Sequence, residues 1–196
     1  MPEQYFSTSP DAAHDIRVIT VSVLDEDLTF MTDAGVFSKG ALDEGSEILL
    51  KALPPLGGRV LDLGAGWGAI GLTLAKKYPD AGFVLSEINP RAMELCEKNR
   101  VKNRLENAAV VLSDAFSAVE GTFDTIITNP PIRAGKDVIY AMFDTSFERL
   151  NEGGRLFIVI RVKQGAASAV KHLEEKFASV RTIERKKGYH VIEATK

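Results

Sequence analysis

The sequence predicts an α/β fold, a mostly parallel sheet covered by helices on both faces and preceded by a β-hairpin extension. Three observations carry that prediction. From Arg59 onward, strand-like runs alternate with helix-like segments. The runs are almost wholly apolar, as strands buried on both faces are. The last stretch reads as a hairpin, which adds an antiparallel strand at the end of the sheet.

The elements follow in order. Ile16–Leu24 (IRVITVSVL) is β-branched and partly alternating, Asp25-Glu26-Asp27 supplies a turn, and Leu28–Thr32 reads as the returning strand. In the segment GVFSKGALDEGS (35–46), Asp43 is placed to cap a helix through Ile48 and Leu49 to about Leu53, where Pro54-Pro55 stops it. We read residues 1–56 as an extension packed on a single structural unit at 57–196. In that unit, strands are expected at Val60–Leu63, Gly82–Glu87, Ala109–Leu112, Asp124–Thr128 and Arg155–Ile160. Helices are expected at Ala69–Lys77, Pro90–Asn99, Asp137–Leu150 and Ala166–Phe177. Pro90 suits a first helical turn, and Gly153-Gly154 marks the exit from the fourth helix. Val180–Glu184, Lys186-Lys187-Gly188 and Tyr189–Ala194 form the closing hairpin.

Composition excludes several classes. The chain has 196 residues, 45% hydrophobic and 26% charged, an ordinary globular balance. The opening MPEQYFSTSP lacks a basic region followed by an apolar core, so no secretory signal is expected. No run approaches the length of a membrane span. One cysteine, Cys96, excludes an intrachain disulfide and argues against a cysteine-based metal site. Its spacing with Ala92, Met93 and Leu95 is that of a core-facing helix. His14, His172 and His190 show no motif spacing, and no metal is expected. These features point to a cytoplasmic protein without membrane association. The net charge of −3 hides an asymmetry: residues 151–196 carry ten Lys/Arg against five Asp/Glu. Such a basic portion offers either a phosphate-binding surface or a solvated face.

The segment Val60–Ala69 (VLDLGAGWGA) is a strand, a glycine-rich turn and the start of a helix. Glycines let a ligand approach the backbone, and the carboxyl end of a first parallel strand is where open α/β sheets bind ligands. Gly64, Gly66 and Ala69 also fit the dinucleotide pattern, so the turn alone leaves NAD and other adenosine cofactors open. Glu87 ends the second strand, where a carboxylate can accept from both ribose hydroxyls. Asp114 ends the third, where it can accept from an adenine amine. Either acid could instead cap the helix that follows or sit in solvent. Asp62 has two readings, fixing the loop or reaching the cofactor. Trp67 has two as well, lining that site or packing.

The fourth strand runs into Asn129-Pro130-Pro131. Two prolines make a stiff, extended segment with no N–H after Asn129, presenting carbonyl oxygens and one carboxamide. Such a loop accepts hydrogen bonds from an N–H group, or is a rigid surface turn.

A glycine turn after strand one, an acid after strand two, Asp after strand three and Asn-Pro-Pro after strand four together resemble the class I S-adenosylmethionine-dependent methyltransferases. That family has a Rossmann-like seven-stranded sheet with an antiparallel last strand. GVFSKGALDEGS, NPPIRAGK (129–136) and KKGYHVIEA (186–194) are similar to a small bacterial branch related to the 16S rRNA guanine-N2 methyltransferases, the type C enzymes of the small ribosomal subunit. The resemblance implies S-adenosyl-L-methionine as cofactor and rRNA methylation, as part of rRNA processing, as the activity. It implies cofactor contacts from Asp62, Gly64, Ala65, Gly66, Glu87 and Ile88, joined by Asp114, Ala115 and Asn129. Catalysis falls to Asn129, Pro130 and Pro131: the Asn129 carboxamide oxygen and the Pro130 carbonyl would accept the two N–H bonds of an exocyclic amine, the double proline would keep them fixed, and no general base is required. By the same resemblance Phe37 and Ser38 lie over the cofactor or target pocket, with packing on the hairpin as the other reading of Phe37. Ile132 offers the substrate an apolar wall, and Arg133 and Lys136, which flank the tetrad, either grip substrate phosphates or face solvent. Ile132 stands where the family commonly has an aromatic residue. Some rRNA members carry a second, noncatalytic copy of the domain, and these 196 residues hold one. Alternatives are methylation of a protein glutamine or other planar nitrogen, an NAD-binding oxidoreductase, and a noncatalytic S-adenosylmethionine-binding module. The Asn-Pro-Pro segment and the lack of a convincing Tyr-Lys or His argue against the oxidoreductase, and the intact tetrad argues against the noncatalytic module.

Overall fold

The computed structural model describes residues 14–36, 38 and 40–196; the opening residues 1–13, Phe37 and Lys39 lie outside the described residues. Strands β1 (Arg17–Val23) and β2 (Glu26–Thr32) form a separate antiparallel hairpin. Its turn is Leu24-Asp25, both at positive φ (58° and 61°), rather than Asp25-Glu26-Asp27. Two left-handed residues give a turn whose twist matches the strands. Asp27 is drawn into β2, where it accepts from Ser22 Oγ at 2.5 Å.

Helix α1 (Glu44–Ala52) follows, capped by Asp43 and ending at Leu53 before the two prolines, as expected. The alternating portion comprises β3 (Arg59–Leu63), α2 (Ala69–Lys77), β4 (Gly82–Glu87), α3 (Pro90–Lys102), β5 (Ala108–Leu112) and β6 (Phe123–Thr128). A 3-10 turn at Ile132–Ala134 then leads into α4 (Lys136–Arg149), β7 (Leu150–Arg161), a second 3-10 turn at Val162–Gln164, α5 (Ala166–Leu173), β8 (Ser179–Lys186) and β9 (Tyr189–Thr195). The seven-stranded sheet has the order β5-β4-β3-β6-β7-β9-β8. The pairs from β5 through β7 are parallel, and β9 runs antiparallel to both neighbours.

Two expectations shift. Gly153-Gly154 lies inside β7, not at a helix exit: α4 stops at Arg149 and Leu150 pairs at once with Phe123. The extra residues before Arg155, which pairs with Thr125, are absorbed as a bulge with Gly153 at φ 73°. Burial of Leu150 outweighs the glycine signal. Helix α5 ends at Leu173 rather than Phe177, because the bonds of Glu175 and Lys176 tighten to i→i−3.

Side chains alternate across the sheet. Val60, Phe83, Ile127, Phe157 and Val159 pack with α1, α2, α3 and the hairpin, and Cys96 lies in this core. Leu61, Leu63, Ile126, Leu156 and Ile158 pack with α4 and α5. Since β4 and β6 lie on opposite sides of β3, the connections diverge at its carboxyl end and open a crevice there.

The hairpin is fastened by two asparagines one turn apart, Asn99 on α3 and Asn103 at its C-cap. Asn99 receives Met31 N–H (2.7 Å) and donates to Met31 O and to Trp67 O (both 2.9 Å). Asn103 receives Thr29 N–H (3.1 Å) and donates to Thr29 O (2.8 Å). These amides satisfy the edge of β2, which has no strand partner on that side. Asn99→Ala leaves the buried Trp67 carbonyl and the part-buried N–H and carbonyl of Met31 without these partners and should lower unfolding free energy by about 2 kcal/mol; urea denaturation checks this, and a change below about 1 kcal/mol would contradict the role.

Candidate active site

The crevice is built first from the glycine turn. Gly64 N and Ala65 N both donate to Ser86 O at 2.9 Å, so the turn wraps the end of β4. Gly64 and Gly66 hold positive φ (79° and 59°), and a Cβ on either would project into open space. The backbone here is bare towards a cavity lined by Gly64, Ala65, Gly66 and Trp67. Ser86 also lines it, and its Oγ is buried without a hydrogen-bond partner. A bare backbone cradle and an orphaned hydroxyl suit a bound small molecule.

Glu87 ties this turn to the next element. Its Oε2 accepts from Gly66 N (2.7 Å) and its Oε1 from Asn89 N (2.8 Å). Burial pushes the carboxyl above its ordinary range, against the backbone N–H groups of Asn89, Gly66 and Ile88. Asn89 caps α3. Glu87 and Ile88 line the cavity, as do Asp114 and Ala115 beyond β5. Asp114 is exposed, and Ala115 is held at φ 46°, an uncommon backbone for a residue with a Cβ.

Asp62 does not line the cavity. Its Oδ2 accepts from Gly71 N at 2.7 Å, beneath the turn and inside α2, which is the loop-fixing arrangement of the two readings. Burial pushes this carboxyl up to about 7; the Gly71 N–H opposes that and the charge of Glu87 adds to it. Trp67 lines the cavity and also packs, meeting Phe30 edge-on at 4.9 Å.

Asn129, Pro130 and Pro131 form the wall opposite. The Asn129 Nδ2 donates to Asp43 Oδ2 and to Ser46 Oγ, both at 3.1 Å. The same Asp43 oxygen accepts from Ser46 N at 3.0 Å. An ionised carboxylate only accepts, so the amide end facing it must be the NH₂. The carboxamide oxygen is left as the acceptor that these partners do not use. Asp43 and Ser46 line the cavity too, and the sequence pattern assigned them no site role. A signal was present, because a capping residue lies in the segment that precedes the core. Its partner, however, is 86 residues away.

The remaining expected residues divide. Ser38 lines the cavity. Phe37 lies outside the described residues. Ile132 and Lys136 line a separate cavity on the far side of the 3-10 turn, and Arg133 is exposed between them.

The chain is similar to known proteins. The model of a family described as methyltransferase small domain matches residues 27–193. The Bacillus subtilis protein YbxB is 42% identical, over 100% of both chains. The ribosomal RNA small subunit methyltransferase C of Haemophilus influenzae is 40% identical over 139 residues, 68% of this chain and 42% of that protein. The solved T. thermophilus 16S rRNA N2 methyltransferase RsmC, in complex with AdoMet and guanosine, superposes with a TM-score of 0.84 at 34% identity, covering 92% of this chain and 50% of that one. The chain thus spans about half the length of the ribosomal RNA methyltransferases it matches.

The buried Asp62 sets a pH dependence. Its folded pKa of about 7 lies above the ordinary 3.8, so between these values the native state keeps a proton that the unfolded chain has lost. Stability from this group is therefore full below about pH 4 and is lost as pH rises to about 7. Asp62→Asn keeps an acceptor for Gly71 but cannot ionise. The melting temperature of the native protein minus that of Asp62→Asn should fall steadily from about pH 5 to about pH 7.5; a difference independent of pH would refute the assignment.

Proposed function

The chain belongs to the methyltransferase small domain family, and we propose that it methylates the exocyclic N2 amine of a guanine in ribosomal RNA. The observation that carries this reading is Asn129, whose amide is oriented by Asp43 and Ser46 so that its oxygen is free to accept. S-adenosylmethionine supplies an electrophilic methyl on a sulfonium centre. Gly64, Ala65 and Gly66 give it close backbone approach. Glu87 accepts from its ribose hydroxyls, using lone pairs left over from Gly66 and Asn89. Asp114 would accept from its adenine amine, with Ile88 and Ala115 lining the same cavity.

Guanine N2 is a weak nucleophile because its lone pair is delocalised into the ring. Asn129 Oδ1 and the Pro130 carbonyl accept its two N–H bonds, hold the nitrogen in line and stabilise the positive charge that develops there. The nitrogen gains the carbon–nitrogen bond as the carbon–sulfur bond breaks, and its surplus proton leaves to water. The double proline keeps both acceptors fixed and removes competing N–H donors.

RNA is favoured as partner by the relatives and by charge. Arg161 pairs in register with Tyr189, so the β8–β9 turn with Lys186 and Lys187 lies beside the carboxyl end of β7. This is the end of the sheet that carries the cavity. Part of that charge is answered internally, since Lys187 Nζ lies 2.7 Å from Glu44. Arg133 adds an exposed cation at the rim, and the protein would meet its RNA in the cytoplasm.

Methyl transfer from labelled S-adenosylmethionine to ribosomal RNA or ribosomal particles, followed by nuclease digestion and mass spectrometry, should yield N2-methylguanosine. Label found only in protein would sink the RNA reading. Asn129→Ala should reduce the single-turnover rate about 10²–10³-fold while costing about 1 kcal/mol in stability; a near-normal rate per folded molecule would end the catalytic assignment. Asp43→Ala should lose about 1 kcal/mol as a helix cap and lower kcat with cofactor affinity kept, and an unchanged kcat would remove its positioning role.

A further inference from the structure

A second cavity, of about 280 Å³, opens across the first turns of α4 from the one just described. Ala134, Val138 and Met142 face the first cavity, and Lys136, Ile139 and Tyr140 face the second. One wall, leading directly out of Asn129-Pro130-Pro131, therefore separates the two. The volume far exceeds the roughly 30 Å³ share of a single bridging water.

Its chemistry differs from that of the first cavity. Asp43, Glu87 and Asp114 line the first, whereas among the described residues no acid lines the second and Lys136 supplies its formal charge. Gly165 and Ser168 bring in the N-terminus of α5. That helix starts from Gly165 at φ 102° with no side-chain cap. The N–H groups of Ala166, Ala167 and Ser168 belong to a first turn, which has no intrahelical acceptor, and they carry the positive end of the helix dipole. Tyr140 also lines the cavity, and its hydroxyl is buried without a hydrogen-bond partner. The ring cannot easily swing to find one. It stacks on His172 with centroids 4.1 Å apart, and Lys136 Nζ lies 5.0 Å over it. An orphaned hydroxyl, a lysine and an uncapped helix start are all donors, and together they call for an oxygen-rich anion.

We propose that this cavity is a phosphate subsite for the nucleotide joined to the methylated guanosine. The proposal rests on the guanine reading above. A base held at Asn129 has a phosphodiester on either side of its sugar, and the first turns of α4 line both cavities. Lys136, Tyr140 and the first turn of α5 take the phosphoryl oxygens, while Ile132, Ile139 and Ile160 supply an apolar side for the attached sugar.

Calorimetry with guanosine and with guanosine 3′,5′-bisphosphate, each in the presence of S-adenosylhomocysteine, tests it. The bisphosphate should bind about tenfold tighter, the scale of one charge-assisted contact. Lys136→Met should lose most of that gain. So should Ala167→Asp, which places an acid in an exposed first-turn position that favours helix formation and keeps guanosine affinity. The amide resonances of Ala166, Ala167 and Ser168 should shift with the bisphosphate and not with guanosine. Guanosine binding with no gain from phosphate overturns the subsite alone, as does a gain that survives both variants with those amides unmoved. Binding of neither ligand, together with no methyl transfer to RNA, overturns the guanine reading and the subsite with it.

Discussion

One carboxylate oxygen, Oδ2 of Asp43, joins the two halves of the site. It accepts the N–H of Ser46 and so starts α1, and it accepts from the Asn129 amide and so decides which way that amide faces. A helix cap is worth about 1 kcal/mol, and it is made from the same atom that orients Asn129. Local folding and site geometry cannot be separated at this point. Neutralising or removing the carboxylate would leave the amide free to turn, and the acceptor on the cavity wall would become a donor for part of the time.

The opposite wall shows the same economy. Glu87 holds Gly66 with one oxygen and Asn89 with the other, so the glycine turn and the start of α3 share one side chain. Asp62 lies beneath, bonded to Gly71. Burying two carboxylates in one region is costly, and the cost shows as raised pKa values for both, driven first by desolvation. The polar backbone they satisfy is what keeps the bare glycine cradle in shape. The hairpin reinforces it from outside, because Asn99 bonds both Met31 and the carbonyl of Trp67.

The two cavities are set apart by the direction the chain takes after Pro131. A 3-10 turn and then α4 run between them, and successive faces of α4 serve one cavity and then the other. The family's aromatic position is Ile132 in this chain, and it faces the second cavity, not the first. Apolar contact from Ile132 is therefore available on the far side of the wall rather than over the Asn129 acceptor.

Much was determined by the sequence alone. The alternation of strand and helix, the glycine turn, the acids at the ends of β4 and β5 and the Asn-Pro-Pro segment all depend on residue types acting over a few positions. Periodicity, backbone freedom and missing N–H groups are local properties, so these elements are legible without coordinates. Their convergence follows too, since a parallel sheet brings the ends of its strands together. The tertiary structure decided what depends on partners far apart in the chain. It placed Asp43 and Ser46 against Asn129, sank Asp62 under the turn, drew Gly153-Gly154 into a strand bulge and split Ile132 and Lys136 from the first cavity. An aspartate or glycine looks the same in the sequence whether it ends up exposed, buried or paired. Burial and long-range pairing settle its role, and those exist only once the chain has packed.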